Sequence, residues 1–208
     1  MMNTKGREFK GLYAGVGYKH WAALMGFRAK FYRRAVGDDI PDYPIKAIDL
    51  GCGPGALSYA LAEKAAPKSD IYGLDISEEQ IRYARLHADN YPCRLHFINN
   101  SMDELQFPDN YFDIVMTSMA LHETPPEVRR NTIRQVARKL KPGGKFILVD
   151  WSKPRWGLYG IIWLPFLFGE NRKDNWNNVY KGLCEQEGLQ LQEDTYLNSI
   201  ARRQVFLK

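Results

Sequence analysis

The sequence predicts a doubly wound α/β fold: a mostly parallel, seven-stranded sheet with helices on both faces and a C-terminal antiparallel hairpin. Three observations predict it. Short apolar runs alternate with helical patterns from about residue 45 to 150, the rhythm of parallel βαβ units. One of those runs, Ala47-Ile48-Asp49-Leu50, passes directly into Gly51-Cys52-Gly53-Pro54-Gly55, a strand followed by a tight glycine turn. Beyond residue 188 two strand-like runs flank Asn198-Ser199, as in a hairpin.

The elements follow in order. Residues 17 to 36 carry an apolar and aromatic face (Trp21, Leu24, Met25, Phe27, Phe31, Tyr32), and Gly37-Asp38-Asp39-Ile40-Pro41 ends that helix. Strand 45–50 leads into a helix over 55–66. Strand 70–75 comes next, and Ser77-Glu78-Glu79-Gln80 opens a helix as a capping box. Strands 94–98 and 112–117 follow. Thr124-Pro125-Pro126-Glu127 starts another helix, with Thr124 as N-cap and Pro125 at N1. Lys141-Pro142-Gly143-Gly144 breaks it before strand 145–150. A polar helix over 174–187 precedes the hairpin Leu189–Leu197 and Ile200–Leu207. The expected organisation is a single domain over 1–208: a helical cap (1–40), a core (45–150), an aromatic segment (151–172), and a helix with a hairpin (173–208).

With 208 residues, 45% of them hydrophobic and 25% charged, the chain has the composition of a globular domain with a sizeable core. The net charge of +5 is mildly basic. No Lys/Arg block with interleaved aromatics accompanies it, so nucleic acid is not the expected partner. Cys52, Cys93 and Cys184 are odd in number and lack CxxC spacing, against a disulfide framework or a cysteine zinc site. The four histidines have no metal spacing, and no metal is expected. The polar start, with no apolar stretch behind it, predicts a cytoplasmic protein without a signal segment or spanning helix.

Gly51-Cys52-Gly53-Pro54-Gly55-Ala56 fits the dinucleotide fingerprint G-x-G-x-x-[GA], and Asp75 lies where a ribose-binding carboxylate is expected. A Rossmann-like cofactor site follows, but these positions alone leave NAD(P) and an adenosyl-sulfonium cofactor both open. Asp49 separates them. A carboxylate beside the turn repels a pyrophosphate, whereas a cofactor carrying an ammonium and a sulfonium gains from it.

At this point the chain resembles the class I S-adenosylmethionine-dependent methyltransferases. Asp49-Leu50-Gly51-Cys52-Gly53-Pro54-Gly55 resembles their first motif and Leu74-Asp75 their second. Gln106 to Val115 resembles the fourth, and Leu140 to Lys145 the turn before the fifth strand. Within that superfamily the chain is most similar to the ubiquinone/menaquinone-biosynthesis-like (methyltransferase type 11) group. The resemblance implies S-adenosylmethionine as cofactor. It implies that Gly51, Cys52, Gly53 and Gly55 lie along its methionine part, with Asp49 near the amino group. Asp75 would hold the ribose hydroxyls and Ile76 would pack on the adenine. Ser101-Met102 stands where the family usually has an acidic and a small residue at the adenine edge, and Ser118 would line the cofactor. An N-terminal aromatic would approach the sulfonium, with Tyr18 preferred and Tyr13 next, unless these tyrosines only pack the helix.

His122, after the fourth strand, either faces the methyl acceptor as a base or polar contact, or bonds a neighbouring loop. Pro126 occupies the second histidine position of a zincin motif, which excludes that reading. The segment from Trp156 to Gly169, flanked by Lys153, Arg155, Arg172 and Lys173, reads three ways. It is a substrate lid walling an apolar pocket, a peripheral membrane contact, or a packing or dimer segment. The expected function is methyl transfer to a small, apolar acceptor. The alternatives are an NAD(P)-dependent oxidoreductase, a non-catalytic S-adenosylmethionine-binding protein, or a nucleic-acid methyltransferase, whose Asn/Asp-Pro-Pro-Tyr run is replaced here by Thr117-Ser118-Met119-Ala120-Leu121-His122.

Overall fold

The computed structural model describes residues 27–153 and 179–208. Its elements in chain order are α1 (Ala29–Val36), β1 (Lys46–Leu50), α2 (Ala56–Ala62), β2 (Asp70–Asp75), α3 (Glu78–Arg85), β3 (Arg94–Asn99), β4 (Phe112–Ser118), α4 (Pro126–Lys139), β5 (Leu140–Trp151), α5 (Val179–Gln186), β6 (Gln190–Tyr196) and β7 (Ala201–Leu207). Among the described residues the seven strands form one sheet in the order β3-β2-β1-β4-β5-β7-β6. β1 pairs in parallel with β2 and β4, and β7 runs antiparallel between β5 and β6. The chain winds outward from β1 to β3, then returns to β4 on the other side. That reversal opens a crevice above the C-terminal ends of β1 and β4, where open α/β sheets bind ligands.

Strand side chains alternate between the two faces. Ala47, Ile71, Ile114, Met116 and Val149 pack with Phe31 and Ala35 of α1 and Leu57 and Leu61 of α2. Ile48, Leu50, Leu74, Val115 and Leu148 pack with Ile133 and Val136 of α4 and Tyr180 and Cys184 of α5. Both faces of the central strands are therefore dry, which is why those runs read as continuously apolar.

Several element boundaries differ from the sequence expectation. The α4 helix begins at Pro126, with Pro125 as its N-cap at φ −59° and ψ 152°. A residue preceding a proline is pushed out of the helical region, so the Pro125-Pro126 pair moves the start by one residue. Thr124 Oγ1 instead donates to the Leu121 carbonyl at 2.6 Å. The Lys141–Gly144 turn lies inside β5 as a bulge, since Phe112 already pairs with Leu140 before the register shifts. The α2 helix stops at Ala62. Ser77 does cap α3, its hydroxyl accepting from the Gln80 amide at 3.4 Å. The first expected helix, read over 17–36, is not continuous: Arg28 is extended and α1 starts at Ala29. What precedes residue 27 lies outside the described residues, as does most of the 151–172 segment.

Two contacts bear on later sections. The buried Arg203 of β7 donates through Nε to the Ala35 carbonyl at 2.7 Å and through a terminal nitrogen to Val36 at 3.3 Å. This satisfies carbonyls that the end of α1 leaves open. In β2, a Cβ on Gly73 would meet the Phe97 ring at 2.5 Å and Cys52 Sγ at 3.0 Å. Gly73→Ala is therefore expected to destabilise the protein by about 1–3 kcal/mol through overpacking. Urea unfolding checks this, and an unchanged midpoint would contradict so tight a fit beneath the glycine turn.

Candidate active site

The β1 strand ends in a turn that the backbone itself holds open. Gly51 and Gly53 sit at φ 71° and 51°, a region that favours glycine. The Gly51 and Cys52 amides both donate to the Leu74 carbonyl, at 2.8 and 3.0 Å, which ties the turn to the end of β2. A Cβ on Gly53 would meet no atom of the described residues within 4 Å, so among them that stretch of backbone faces open space. The space is a cavity of about 810 Å³, mouth included, above the ends of β1, β2, β3 and β4.

Nine of the expected cofactor residues line this cavity: Asp49, Gly51, Cys52, Gly53, Asp75, Ile76, Ser101, Met102 and Ser118. Gly55 is not on the wall. A Cβ there would press on Tyr59 at 3.0 Å and Phe97 at 3.2 Å, so its part is to let α2 start close to its neighbours. Tyr18 and Tyr13 lie outside the described residues. The wall also holds Tyr32, Asn100 and Glu123, none of them expected from the sequence. Tyr32 was legible only as a member of the aromatic helix face, and Glu123 only as the neighbour of His122.

Asp49 is 1% exposed. Its Oδ2 accepts from the Ser58 hydroxyl at 2.7 Å, and its Oδ1 is buried with no hydrogen-bond partner among the described residues. Burial pushes its carboxyl up to about 7, opposed by the Ser58 bond and reinforced by the charge of Asp75. Such a carboxylate lacks a cation. Asp75, across the turn, is in the opposite situation. It accepts from the Gly53 amide through Oδ2 and from the Ser77 amide through Oδ1, both at 2.8 Å. These two bonds brace the turn against the start of α3.

On the β3 side Ser101 donates its hydroxyl to the buried Asp103 carboxylate. Its oxygen keeps acceptor capacity that the adjacent negative charge strengthens. The acidic residue missing from position 101 thus stands behind it. Ser118 Oγ is a second buried polar atom without a partner among the described residues. The Cys52 thiol is pushed up by burial and by Asp75 and Asp49, which makes it a wall residue rather than a nucleophile.

His122 does not line the cavity. It is buried with Nδ1 2.6 Å from Asp150 Oδ1 and Nε2 3.3 Å from Glu123 Oε1. Burial works against its charged form, but Asp150, joined by Glu123, outweighs that and holds the imidazole up to about 9. It is clasped between two carboxylates rather than open to the cavity as a base.

These features suit a ligand with a cation at one end, a ribose in the middle and a ring at the other. The comparison with known proteins decides which. Residues 47–144 match the family described as "Methyltransferase domain". Residues 47–144 are thus a methyltransferase domain. It is similar to a demethylmenaquinone methyltransferase of Bacillus licheniformis, 33% identical over 122 residues, or 59% of this chain and 50% of that protein. It is also similar to an uncharacterized methyltransferase of Synechocystis, 37% identical over 143 residues, 68% of this chain and 57% of that one. The chain thus spans about half the length of these relatives. A solved S-adenosylmethionine-dependent methyltransferase from Aquifex aeolicus shares the fold at a TM-score of 0.69 and 14% identity, covering 90% of this chain and 97% of that one.

The residues of this methyltransferase domain fit its cofactor. The unpartnered oxygen of Asp49 and the open face of Gly53 suit an ammonium-bearing chain, and the same carboxylate would oppose a pyrophosphate. Among the described residues no helix is long and apolar enough to cross a membrane.

Proposed function

We propose that this domain transfers a methyl group from S-adenosylmethionine to a small, apolar acceptor of the quinone-precursor class. The buried Asp49 oxygen without a partner carries the cofactor half of the reading. The acceptor half is supported by the similarity to the demethylmenaquinone methyltransferase. It is supported too by a ubiquinone/menaquinone biosynthesis C-methyltransferase of Burkholderia multivorans, 29% identical over 72% of this chain and 63% of that protein.

When bound, the cofactor supplies a methyl group on a sulfonium, already a good leaving group. The protein's part is to bind, align and exclude water. Asp49 pairs with the amino group. Asp75 accepts from the ribose hydroxyls while holding the Gly53 amide in place. Ile76 lies on the adenine, and Ser101, backed by Asp103, accepts from its amine beside Met102. Ser118 lines the methionine end. Tyr32 joins Tyr18 as an aromatic candidate for the sulfonium. The 151–172 segment is the proposed lid over the acceptor, and residues 156–169 give it a route to a membrane surface where apolar quinones reside. A cytoplasmic setting is part of the same reading.

Release of S-adenosylhomocysteine should be measured with demethylmenaquinol, simple thiols, amines and lipids as acceptors. Turnover at least tenfold faster with demethylmenaquinol than with the others is expected. A preference for a thiol or amine would remove the quinone assignment. Tight cofactor binding with no product from any of them would remove catalysis.

A further inference from the structure

The β4 end of the cavity carries a charge arrangement that cofactor binding alone does not explain. The one-turn 3-10 segment Leu121–Glu123 places two neighbouring side chains differently. His122 is turned into the protein. Asp150, at the end of β5, accepts from the His122 backbone amide at 3.1 Å and faces its Nδ1 at 2.6 Å, while the Trp151 amide donates to it at 2.8 Å. The Trp151 ring stands edge-on to the imidazole at 6.0 Å. Glu123 instead lines the cavity, with 25% of its side chain exposed and Oε1 3.3 Å from His122 Nε2. One imidazole thus serves two carboxylates. With His122 protonated, these three side chains together carry one net negative charge.

The location matters. On the proposed reading, the ribose sits at Asp75 on β2 and the adenine at Ser101–Met102 on β3. The sulfur-bearing end then lies over β1 and β4, the end that Glu123 walls. His122 is off the cavity wall, clasped between Asp150 and Glu123, so it is not the group that meets the acceptor.

We infer that Glu123, seated by His122 and Asp150, faces the sulfonium in the cofactor complex and takes the acceptor's proton as the methyl group is transferred. An electron pair of the acceptor forms the new bond to the methyl carbon. The C–S bond breaks with its pair left on sulfur, which becomes a neutral thioether. The proton displaced from the acceptor passes to the Glu123 carboxylate and later to solvent. The cofactor goes from one positive charge to none while the array goes from one negative charge to none. No isolated charge is stranded in the buried site at either stage. Glu123 is the catalytic residue in this scheme, and His122 and Asp150 are positioning residues.

The test needs no acceptor. With the neutral thioether product bound, Glu123 has lost its facing cation and gains a proton more readily than with the sulfonium bound. Calorimetric titrations at pH 7 in phosphate and in Tris, whose ionisation heats differ, count protons exchanged on binding. S-adenosylhomocysteine should take up roughly half a proton more than S-adenosylmethionine. Asp49 and Asp75 also face the cavity, but they meet parts common to both ligands and cancel in the difference. Glu123→Gln should abolish the difference and lower the preference for S-adenosylmethionine over S-adenosylhomocysteine about fivefold. His122→Gln should shrink the difference while both ligands still bind. Equal proton counts in the unmodified protein, a measurement that depends on no variant folding, overturn the inference. So does a difference that persists in Glu123→Gln. If neither ligand binds, the cofactor reading itself fails and the inference falls with it.

Discussion

Replacing Asp49 by Asn is expected to make the cofactor-free protein more stable at pH 8 and a poorer binder of S-adenosylmethionine. The two effects have one cause. Asn is nearly isosteric and still accepts from Ser58, but it carries no charge into a site where the carboxylate is fully buried and one oxygen lacks a partner. The folded-state value of Asp49 is raised from 3.8 to about 7, above its unfolded value. Between those limits the folded state holds more protons, so stability is lost as pH rises through the window. The full shift corresponds to about 4 kcal/mol at 1.36 kcal/mol per unit, an upper bound that solvent entry reduces. A melting temperature several degrees higher than wild type at pH 8, converging toward pH 5, is the expected scan. Affinity for S-adenosylmethionine should fall roughly 10- to 100-fold with the charged hydrogen bond lost. Equal melting temperatures at both pH values would refute the buried, unpaired carboxylate. Unchanged affinity would refute its role toward the ammonium.

Asp75→Ala should lower affinity as well but move stability the other way. Asp75 accepts two backbone amides, from Gly53 and Ser77, and their loss removes the brace between the glycine turn and the start of α3. A destabilisation of about 2 kcal/mol in urea unfolding is expected. The fall in cofactor affinity should reach 100-fold or more, because the ribose contact and the turn geometry go together. A variant as stable as wild type would mean that the turn is held by its other bonds, those of Gly51 and Cys52 to Leu74. Two acidic residues on one cavity thus separate by the sign of their effect on the empty protein. One is held in place by the fold, and the other awaits a ligand.

What could be read from the sequence was local. The glycine turn, Asp49 before it and Asp75 after it lie on one βαβ unit, where strand period and turn chemistry act over a few residues. The hairpin was legible for the same reason. The helix start at 124–127 was misplaced by one residue because a generic capping pattern was set above the stronger steric rule for the residue before a proline. Tyr32, Asp103 and Glu123 were missed because their partners are distant in the chain or hidden behind another residue. Glu123 matters through His122, and His122 through Asp150 on a different strand. No periodicity reports that meeting. Ser101 looked like a weakened version of the family pattern, and only the fold shows the carboxylate two residues later turned toward it.

The tie between Arg203 and the end of α1 has a consequence for the order of assembly. A chain made from its N-terminus presents Asp49 and Asp75 well before Arg203. The central strands can pair and form the glycine turn while α1, which carries Tyr32 to the cavity wall, rests on its packing against α2 and its Arg33–Glu63 pair and still lacks the bonds from β7. Only when β7 inserts between β5 and β6 does the guanidinium reach the carbonyls of Ala35 and Val36. A nascent chain would therefore acquire the floor of its binding site first and the last of the bonds to its side wall only at the end.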